Sequence, residues 1–312
     1  MSLRRFFIMI LCLGTTPTVQ RTMTFAALKI DAVNRAADVK QSASGKSLNV
    51  ARVLKTLDQS LIATGFLGGD AARIMRRDLD RASIAHDFVD VEPETRTCIT
   101  VIDQGGATAT ELIEESKPLS DGDWTAMLEK VAQLLGECRV MVMSGSLPPK
   151  APQGFYGDCA NLATKVGVTT ILDTRGEPLR QALSAHPNII KLNLAEFEET
   201  FGVRGMPTVE WLRSAEMQQL IITHGGEATL VWDGTNAWRI TTPKIDVVSP
   251  IGSGDSFAAG VAAGIMKGQP LHEAARLGAA CGAANALTPV AGFVRREDVE
   301  RLLREIQVSR DD

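Results

Sequence analysis

The 312-residue chain is 45% hydrophobic and 22% charged, with a formal net charge of -4. This composition is typical of a soluble globular protein, and the length suits one large α/β domain. The acidic balance argues against a nucleic-acid partner, and no stretch after the N-terminus is long enough to span a membrane. We therefore expect a small-molecule ligand, with neither nucleic acid nor membrane as partner.

The cysteines and histidines show no metal-site pattern. The five cysteines are odd in number and scattered without CxxC spacing, and none of the four histidines is spaced like a zinc pair. We expect buried, reduced thiols in a cytoplasmic protein. Any metal is then expected to be held by carboxylates and phosphate.

A short apolar run, FFIMILCLG, follows Arg4 and Arg5 and is similar to the start of a signal peptide. No AxA-like cleavage site follows the run, and Ile10 and Leu11 are too large for a lipoprotein signal. The pattern favours a buried first strand over a signal peptide.

From about residue 50 onward, short apolar runs alternate with segments of helical period. This alternation predicts a parallel sheet covered by helices on both faces, which binds ligands beyond the carboxyl ends of its strands. The candidate strands are 61–66, 139–145, 168–174, 188–193 and 220–225, and the candidate helices are 71–82, 122–136, 153–166, 194–201 and 207–216.

Residues 15–42 and 86–114 contain short alternating strands such as TMTF, VNRAADVK, TCITVID and TATELI, with little helical period. They predict one small β-sheet assembled from two separate excursions of the chain. Its simplest use is a lid over the active site, because lids exclude water and position substrates. The alternative is an edge extension of the main sheet.

After residue 253 the sequence is typical of helices to the end, with segments near 257–268, 270–287 and 296–306. The first segment is rich in Ala and Gly, which lets neighbouring backbones approach closely. The predicted fold class is therefore α/β, with a mainly parallel central sheet flanked by helices and a small β-sheet lid.

The stretch SPIGSGDSFAAG, residues 249–260, carries the strongest chemical signal. A predicted strand at 244–248 leads through Gly252 and Gly254 into a helix, so successive backbone amides can point at one anionic group. Asp255 has two interpretations. It is exposed if it only caps the helix, and it faces the cleft if it accepts a proton from a hydroxyl that attacks a phosphoryl group.

Three further motifs have a chemical and a structural interpretation each. In SASGK, Lys46 at a helix N-terminus suits an anion or is a solvated lysine, and the spacing is not that of a P-loop because Lys40 stands where glycine is needed. In NLAE, Asn193 and Glu196 suit a hydrated Mg²⁺ or cap a helix. In ETR, Arg96 offers a forked donor to a phosphate or forms a surface ion pair.

Taken in order, these motifs resemble the ribokinase-like PfkB family of carbohydrate kinases, and within it the tagatose-6-phosphate kinase and 1-phosphofructokinase branch. The resemblance runs from about residue 8 to about 295 and implies a ribokinase-like three-layer fold in a single kinase domain, 1–312. The matching motifs are GK with NVARVL, TGFLGGD (64–70), HDFV with ETR (86–96), SGSLPP (144–149), ILDT (171–174), KLNLAE (191–196) and SPIGSGDS (249–256).

The resemblance implies transfer of the γ-phosphate of ATP, with Mg²⁺, to a hydroxyl of a sugar or sugar phosphate, and a homodimer formed through the lid. It makes Asp255 the catalytic base, beside an amide cradle of Gly252, Ser253 and Gly254. The implied substrate-binding residues are Gln20, Gly45, Lys46, Asn49, Arg96, Ser144 and Ser146. The implied nucleotide-binding residues are Asn193, Thr223, Gly225, Gly226 and Asn285, with Asn193 and Glu196 organising the Mg²⁺ through water.

The sequence departs from the branch at three points. TPTVQ (16–20) stands where the family has NPAID, so Gln20 replaces an aspartate and can bond a sugar hydroxyl without carrying charge. SGKS replaces GGKG, and KLN replaces KPN. The leading interpretation is a kinase of a ketohexose phosphate, of the tagatose-6-phosphate or fructose-1-phosphate type. The alternatives are a kinase of an unphosphorylated sugar or nucleoside, and a sugar-binding relative without turnover.

Overall fold

Strands and helices alternate through most of the chain in the computed structural model, which describes residues 9–215 and 217–311. The strands are β1 (Met9–Gly14), β2 (Thr18–Phe25), β3 (Asp38–Ser44), β4 (Leu61–Gly68), β5 (Val89–Val91), β6 (Thr97–Asp103), β7 (Thr108–Ile113), β8 (Cys138–Ser144), β9 (Thr169–Asp173), β10 (Ile189–Asn193), β11 (Leu220–Thr223), β12 (Thr229–Trp232), β13 (Ala237–Thr241) and β14 (Gln307–Asp311). The helices are α1 (Lys46–Thr56), α2 (Gly69–Arg81), α3 (Asp121–Leu135), α4 (Phe155–Lys165), α5 (Gly176–Ala182), α6 (Leu194–Phe201), α7 (Val209–Ser214), α8 (Ser253–Met266), α9 (Leu271–Ala286) and α10 (Arg296–Glu305).

A large sheet runs in the order β14-β13-β12-β11-β10-β9-β8-β1-β4-β5. Neighbours from β11 to β5 are parallel, whereas β11 to β14 pair antiparallel. Along β1, Ile10 and Cys12 pack on one face and Leu11 and Leu13 on the other. Helices α1, α2 and α8 to α10 cover the first face, and α3 to α7 cover the second. The predicted parallel sheet with two buried faces is confirmed.

A second sheet, β3-β2-β6-β7, is separate from the first, and we call it the lid sheet. Strand β2 pairs antiparallel with β3 and parallel with β6, so two excursions of the chain build one sheet as predicted. It is not an edge extension of the main sheet. Its limits differ from the predicted ones, because β3 continues to Ser44 and the segment Val89–Val91 pairs with β4 in the main sheet.

The carboxyl ends of the central parallel strands lie at one edge of the main sheet. Ser144 pairs in register with Asp173, and Asn193 pairs with Thr223. Helix α6 begins directly after β10, and contacts of Lys46 and Gly254 with residues of β9 and β10 place the N-termini of α1 and α8 at the same edge. Chemistry-bearing side chains and helix N-termini therefore meet there.

Some local predictions were wrong. Residues 244–248 form no strand, since Val247 and Val248 are 59% and 60% exposed and β13 already pairs with β12 and β14. The chain is not helical to its end, because Gln307–Asp311 form β14, whose polar residues hide the strand pattern. In VNRAADVK the strand begins only at Asp38.

The N-terminal prediction is confirmed where the structure describes it. Strand β1 is buried from Ile10 onward, and residues 6–8 of the predicted strand lie outside the described residues. None of the helices within 9–215 and 217–311 is long and apolar enough to cross a membrane.

Candidate active site

Two glycines at the N-terminus of α8 lie very close to other segments of the chain. Gly252 has a φ of 83°, and a Cβ there would lie 2.8 Å from the Cα of Ala291. A Cβ at Gly254 would lie 2.9 Å from the Nζ of Lys191. Position 252 needs glycine because a side chain would strain the backbone there, whereas a side chain at position 254 would displace the Lys191 ammonium group.

The first-turn amides of α8 are only partly used by the protein. The helix has no side-chain N-cap, and the amide of Ser253 donates to the carbonyl of Pro250 at 3.2 Å. The amides of Gly254 and Asp255 have no backbone acceptor among the described residues. With the helix dipole behind them, these two amides suit an anionic group, and Lys191 lies alongside.

Asp255 is buried in the first turn of α8, where it is only 7% exposed. Its Oδ2 accepts a hydrogen bond of 2.8 Å from the Nδ2 of Asn49. Burial raises the pKa of Asp255 to about 6, although the nearby Lys46 ammonium and the Asn49 hydrogen bond oppose the shift. A purely capping carboxylate was expected at the surface, so this placement favours the chemical interpretation.

A charge cluster lies beside Asp255. The Asp173 carboxylate is 1% exposed and binds the Nζ of Lys191 at 2.8 Å and the Nζ of Lys46 at 3.4 Å. Burial opposes ionisation of Asp173, yet the two ammonium groups hold its pKa below the usual value. The Asp173 carboxylate in turn raises the pKa of Lys46. Lys46 therefore stays charged, and one buried carboxylate holds both lysines at the strand ends.

Asn193 and Glu196 form a reciprocal capping box at the start of α6. Asn193 Oδ1 accepts from the Glu196 amide and Glu196 Oε2 accepts from the Asn193 amide, each at 2.9 Å. The capping interpretation of NLAE is therefore observed. The other carboxylate oxygen, Oε1, lies 3.7 Å from the Nζ of Lys46, so the same residue also reaches the charge cluster.

The carboxylate oxygens of Asp173 and Glu196 suit a hydrated Mg²⁺ that is held largely by phosphate rather than by the protein. The part of the chain that the structure describes contains no group of three or more His, Cys, Asp or Glu able to hold a metal ion. Both oxygens of Asp173 contact lysines, and the capping box uses one oxygen of Glu196. Mg²⁺ commonly keeps several waters and takes one or two carboxylates plus substrate phosphates, which fits Glu196 Oε1, an oxygen outside the capping box that lies 3.7 Å from the Nζ of Lys46.

The predicted nucleotide-binding residues fall in two places. Thr223 ends β11 beside Asn193, and Gly225 and Gly226 follow in an exposed turn where an added Cβ would meet nothing within 4 Å. Asn285 is fully buried instead, and its side chain bonds the carbonyl of Ile251 and the amide of Gly292 at 2.8 Å each. The observed role of Asn285 is to tie the loop before α8 to the turn after α9.

The predicted substrate-binding residues Gln20 and Arg96 both lie in the lid sheet or at its start. Gln20 Nε2 donates to Thr100 Oγ1 at 2.8 Å, across two neighbouring lid strands. The Arg96 guanidinium donates to the carbonyls of Thr16 and Glu114, at 3.1 Å each. Arg96 thus joins the loop after β1 to the end of the lid sheet and makes no ion pair with a described residue.

The SGSLP turn and Gly45 both contact the loop after β1. Ser144 is buried with an Oγ that finds no partner among the described residues, whereas Ser146 is exposed and its carbonyl accepts from Thr15 Oγ1 at 3.0 Å. Gly45 has a φ of 113°, and a Cβ there would lie 3.0 Å from the Cα of Pro17. Only Ser146 of the two serines is open to a ligand.

The GGD and ETR motifs are joined to each other. The Glu94 carboxylate accepts from the amides of Asp70 and Ala71 at 3.2 and 2.8 Å, at the N-terminus of α2. A Cβ at Gly69 would lie 1.6 Å from Glu94 Oε2, so glycine is needed for this docking. The contact fixes the chain two residues before Arg96, and the lid strand β6 begins directly after Arg96, at Thr97.

Sequence reasoning assigned no role to Asp173 or Lys191. The signals were present, because Lys191 is a charge inside the apolar run NIIKLN and Asp173 ends the strand ILD in the matching motif ILDT. A buried charge needs a partner, and two such residues at neighbouring strand ends are natural partners.

The structure therefore places a buried carboxylate, a lysine pair and the N-termini of α1, α6 and α8 at one edge of an α/β sheet, an arrangement that suits an anionic small molecule. The sequence model of the pfkB family carbohydrate kinases matches residues 9–295. The chain belongs to this family and is a sugar kinase.

Solved structures agree with this assignment. A proposed phosphofructokinase from Staphylococcus aureus is 27% identical, covers 97% of this chain and 99% of its own, and superposes with a TM-score of 0.83. A proposed 1-phosphofructokinase from Thermotoga maritima is 24% identical over 97% of this chain and 100% of its own, with a TM-score of 0.87. Phosphofructokinase-2 from Escherichia coli, solved with potassium, is 21% identical over 96% and 99%, also with a TM-score of 0.87. The last two likenesses show the ribokinase-like fold.

Proposed function

We propose that this sugar kinase transfers the γ-phosphoryl group of ATP to a hydroxyl of a ketohexose phosphate. The observation that carries the proposal is the buried Asp255 carboxylate at an amide-lined helix N-terminus, with Lys46 and Lys191 within the same charge cluster. A base with a pKa near 6 is largely ionised at neutral pH and can accept the proton of the attacking hydroxyl. The new O–P bond then forms as the bond between the γ-phosphorus and the β–γ bridging oxygen breaks, and ADP leaves.

Each group of the site has a proposed part in this reaction. The amides of Gly254 and Asp255 and the Lys191 ammonium stabilise the negative charge on the transferring group. Thr223, Gly225 and Gly226 line the nucleotide, and Glu196 orients waters around the metal. Mg²⁺, when bound, neutralises phosphate charge. Gln20, Ser146 and Arg96 face the acceptor, which the lid sheet covers.

The phosphate already on the acceptor is proposed to bind Arg96. Replacing Arg96 by leucine is expected to raise KM for the phosphosugar about 10- to 100-fold, because a hydrogen bond to a charged group is worth about 1.5–3 kcal/mol. Steady-state kinetics on a panel of sugars and sugar phosphates, following ADP release, measures this. KM for ATP is expected to stay nearly constant.

Lys46→Met is expected to raise KM for the phosphosugar and also to lower kcat, since the Nζ of Lys46 lies against Asp173 and Glu196.

The matched control is Arg73→Leu, which removes an exposed arginine paired with Asp70 on α2. It is expected to leave all constants unchanged. If neither Arg96→Leu nor Lys46→Met changes KM for any sugar phosphate, the acceptor is an unphosphorylated sugar or nucleoside.

A homodimer through the lid sheet is also proposed. Leu112 and Ile113 on its edge strand β7 are 53% and 57% exposed, which is unusual for large apolar side chains on a strand. Light scattering at micromolar concentration is expected to give twice the 33.5 kDa chain mass, and Leu112→Glu with Ile113→Glu to give the monomer. Val166→Glu, 58% exposed outside the lid, is the control that stays dimeric. A monomeric wild-type protein rules the dimer out.

The five cysteines are buried free thiols. This supports the proposal that the kinase works in the cytoplasm, where thiols remain reduced.

A further inference from the structure

A chain of two hydrogen bonds leads from the lid sheet to Asp255. Ser44 Oγ donates to Asn49 Oδ1 at 3.1 Å, and Asn49 Nδ2 donates to Asp255 Oδ2 at 2.8 Å. The three side chains are buried, with exposures of 7%, 6% and 7%. Ser44 is the last residue of the lid strand β3, whereas Asn49 lies in the first turn of α1.

The orientation of the Asn49 carboxamide follows from its two neighbours. Its NH₂ group must face the carboxylate, because the opposite orientation would set an amide oxygen against a negative charge. Its oxygen then faces Ser44, whose hydroxyl can donate to it. Both polar ends of Asn49 are therefore engaged within the protein, the NH₂ group with Asp255 and the oxygen with Ser44.

The backbone around Asn49 is also tightly held. A Cβ on Gly292 would lie 2.6 Å from the Cα of Asn49, and a Cβ on Gly252 would lie 2.8 Å from the amide nitrogen of Gly292. The first turns of α1 and α8 thus press against the same turn of the chain. Asn49 and Asp255 are carried on elements with little freedom to separate.

We propose that Asn49 and Ser44 are positioning residues that hold Asp255 by its Oδ2, leave Oδ1 for the acceptor hydroxyl, and tie this orientation to the lid sheet. The tie to the lid runs through strand pairing, because Ser44 pairs with Thr18 of β2 and the Thr18 hydroxyl bonds the Arg96 carbonyl at 3.0 Å. The proposal rests on the proposed function in one respect, namely that Asp255 is the base.

The decisive variant is Asn49→Asp, which keeps the size and shape of the side chain. It replaces the NH₂ donor with a second carboxylate, so two like charges would face each other. The acid limb of the kcat/KM profile is expected to move up by about one pH unit or more, and kcat at pH 7 to fall about tenfold. If neither quantity moves, the Asn49 side chain does not contact Asp255 and the positioning proposal fails.

Ser44→Ala is the second variant and covers the case in which Asn49→Asp fails to fold. It leaves the Asn49 donor in place but frees the carboxamide to rotate, so the acid limb should move in the same direction by a smaller amount. Gln41→Ala, exposed on the same strand, is the control expected to match wild type. The positioning proposal fails if Ser44→Ala unfolds at the wild-type temperature and the acid limb of its kcat/KM profile is identical to that of wild type.

A titration without substrate separates this proposal from the proposed function. The carboxyl ¹³C signal of Asp255, assigned with Asp255→Asn, should titrate higher in Asn49→Asp and Ser44→Ala than in wild type. If no sugar or sugar phosphate is turned over while these shifts occur, the proposed function fails and the positioning of Asp255 stands. If the signal titrates identically in all three proteins, the positioning proposal fails whatever the substrate.

Discussion

Asp255→Asn is expected to lower kcat by about 100- to 10,000-fold, the usual contribution of a general base. The asparagine keeps the shape of the side chain and can still accept the hydrogen bond from Asn49, but it cannot take a proton from the acceptor. Nucleotide affinity is expected to change little, because the predicted nucleotide residues Thr223, Gly225 and Gly226 lie at the end of β11 and in the turn after it. Single-turnover ADP release and calorimetric nucleotide binding measure the two effects. Asp246→Asn, exposed in the segment before α8, is the control with wild-type turnover.

The same variant should change stability in a pH-dependent way. The folded-state pKa of Asp255 is raised from 3.8 to about 6, so the ionised form is disfavoured in the fold. The contribution of Asp255 to wild-type stability therefore decreases as pH rises from about 4 to about 6, by about 3 kcal/mol at 1.36 kcal/mol per unit. Asp255→Asn carries no such charge and should unfold at a higher temperature than wild type at pH 8. The difference should vanish below about pH 4.

Combined loss of turnover and gain of stability distinguishes a functional carboxylate from a structural one. Wild-type turnover in Asp255→Asn would exclude its role as base. A lower unfolding temperature at pH 8 would mean that Asp255 mainly supports the fold.

Asp173→Asn is expected to cost about 3–5 kcal/mol of unfolding free energy, the usual result of breaking a buried ion pair by removing one partner. Lys191 is only 4% exposed and would lose the carboxylate that lies 2.8 Å from its Nζ. Urea unfolding followed by circular dichroism measures the loss. Turnover should also fall, because Asp173 holds Lys46 at the site through its second oxygen.

Two comparisons sharpen this prediction. Asp87→Asn breaks the pair with Lys130 at 2.7 Å, but Asp87 is 39% exposed, so the expected cost is below about 1 kcal/mol. Asp173→Asn combined with Lys191→Met removes both buried charges and should recover part of the lost stability. Equal costs for the Asp173 and Asp87 variants would show that burial of the pair is unimportant.

Much of the fold was predictable because its signals are local. Apolar runs such as LIATGF and NIIKLN identified central strands, and turn residues separated them from helices. The failures were also local in origin. Residues 244–248 (KIDVV) contain three β-branched residues but pair with no strand, whereas Gln307–Asp311 are mostly polar but complete the edge of a sheet. Strand formation depends on a partner that a local pattern does not contain.

The candidate site was predictable in part. Asp255, Lys46 and Glu196 were selected from motifs, and the structure brings them into one cluster. Asp173 and Lys191 were not selected, because a single charge in an apolar strand does not name its partner. The burial of Asn285 was likewise hidden, since each of its bonds crosses to another segment of the chain.

The sequence by itself determined the α/β class, the two-part lid sheet, the glycine-lined helix start at residues 252–254 and the kinase family. These follow from periodicity, turn chemistry and ordered motifs, all of which are features of the sequence alone. Only the tertiary structure decided which side chains meet: Lys46 with Asp173 across 127 positions, and Asn49 with Asp255 across 206. Such contacts set the charge, burial and orientation of Asp255, because they arise when distant strand ends and helix N-termini pack against one edge of the sheet.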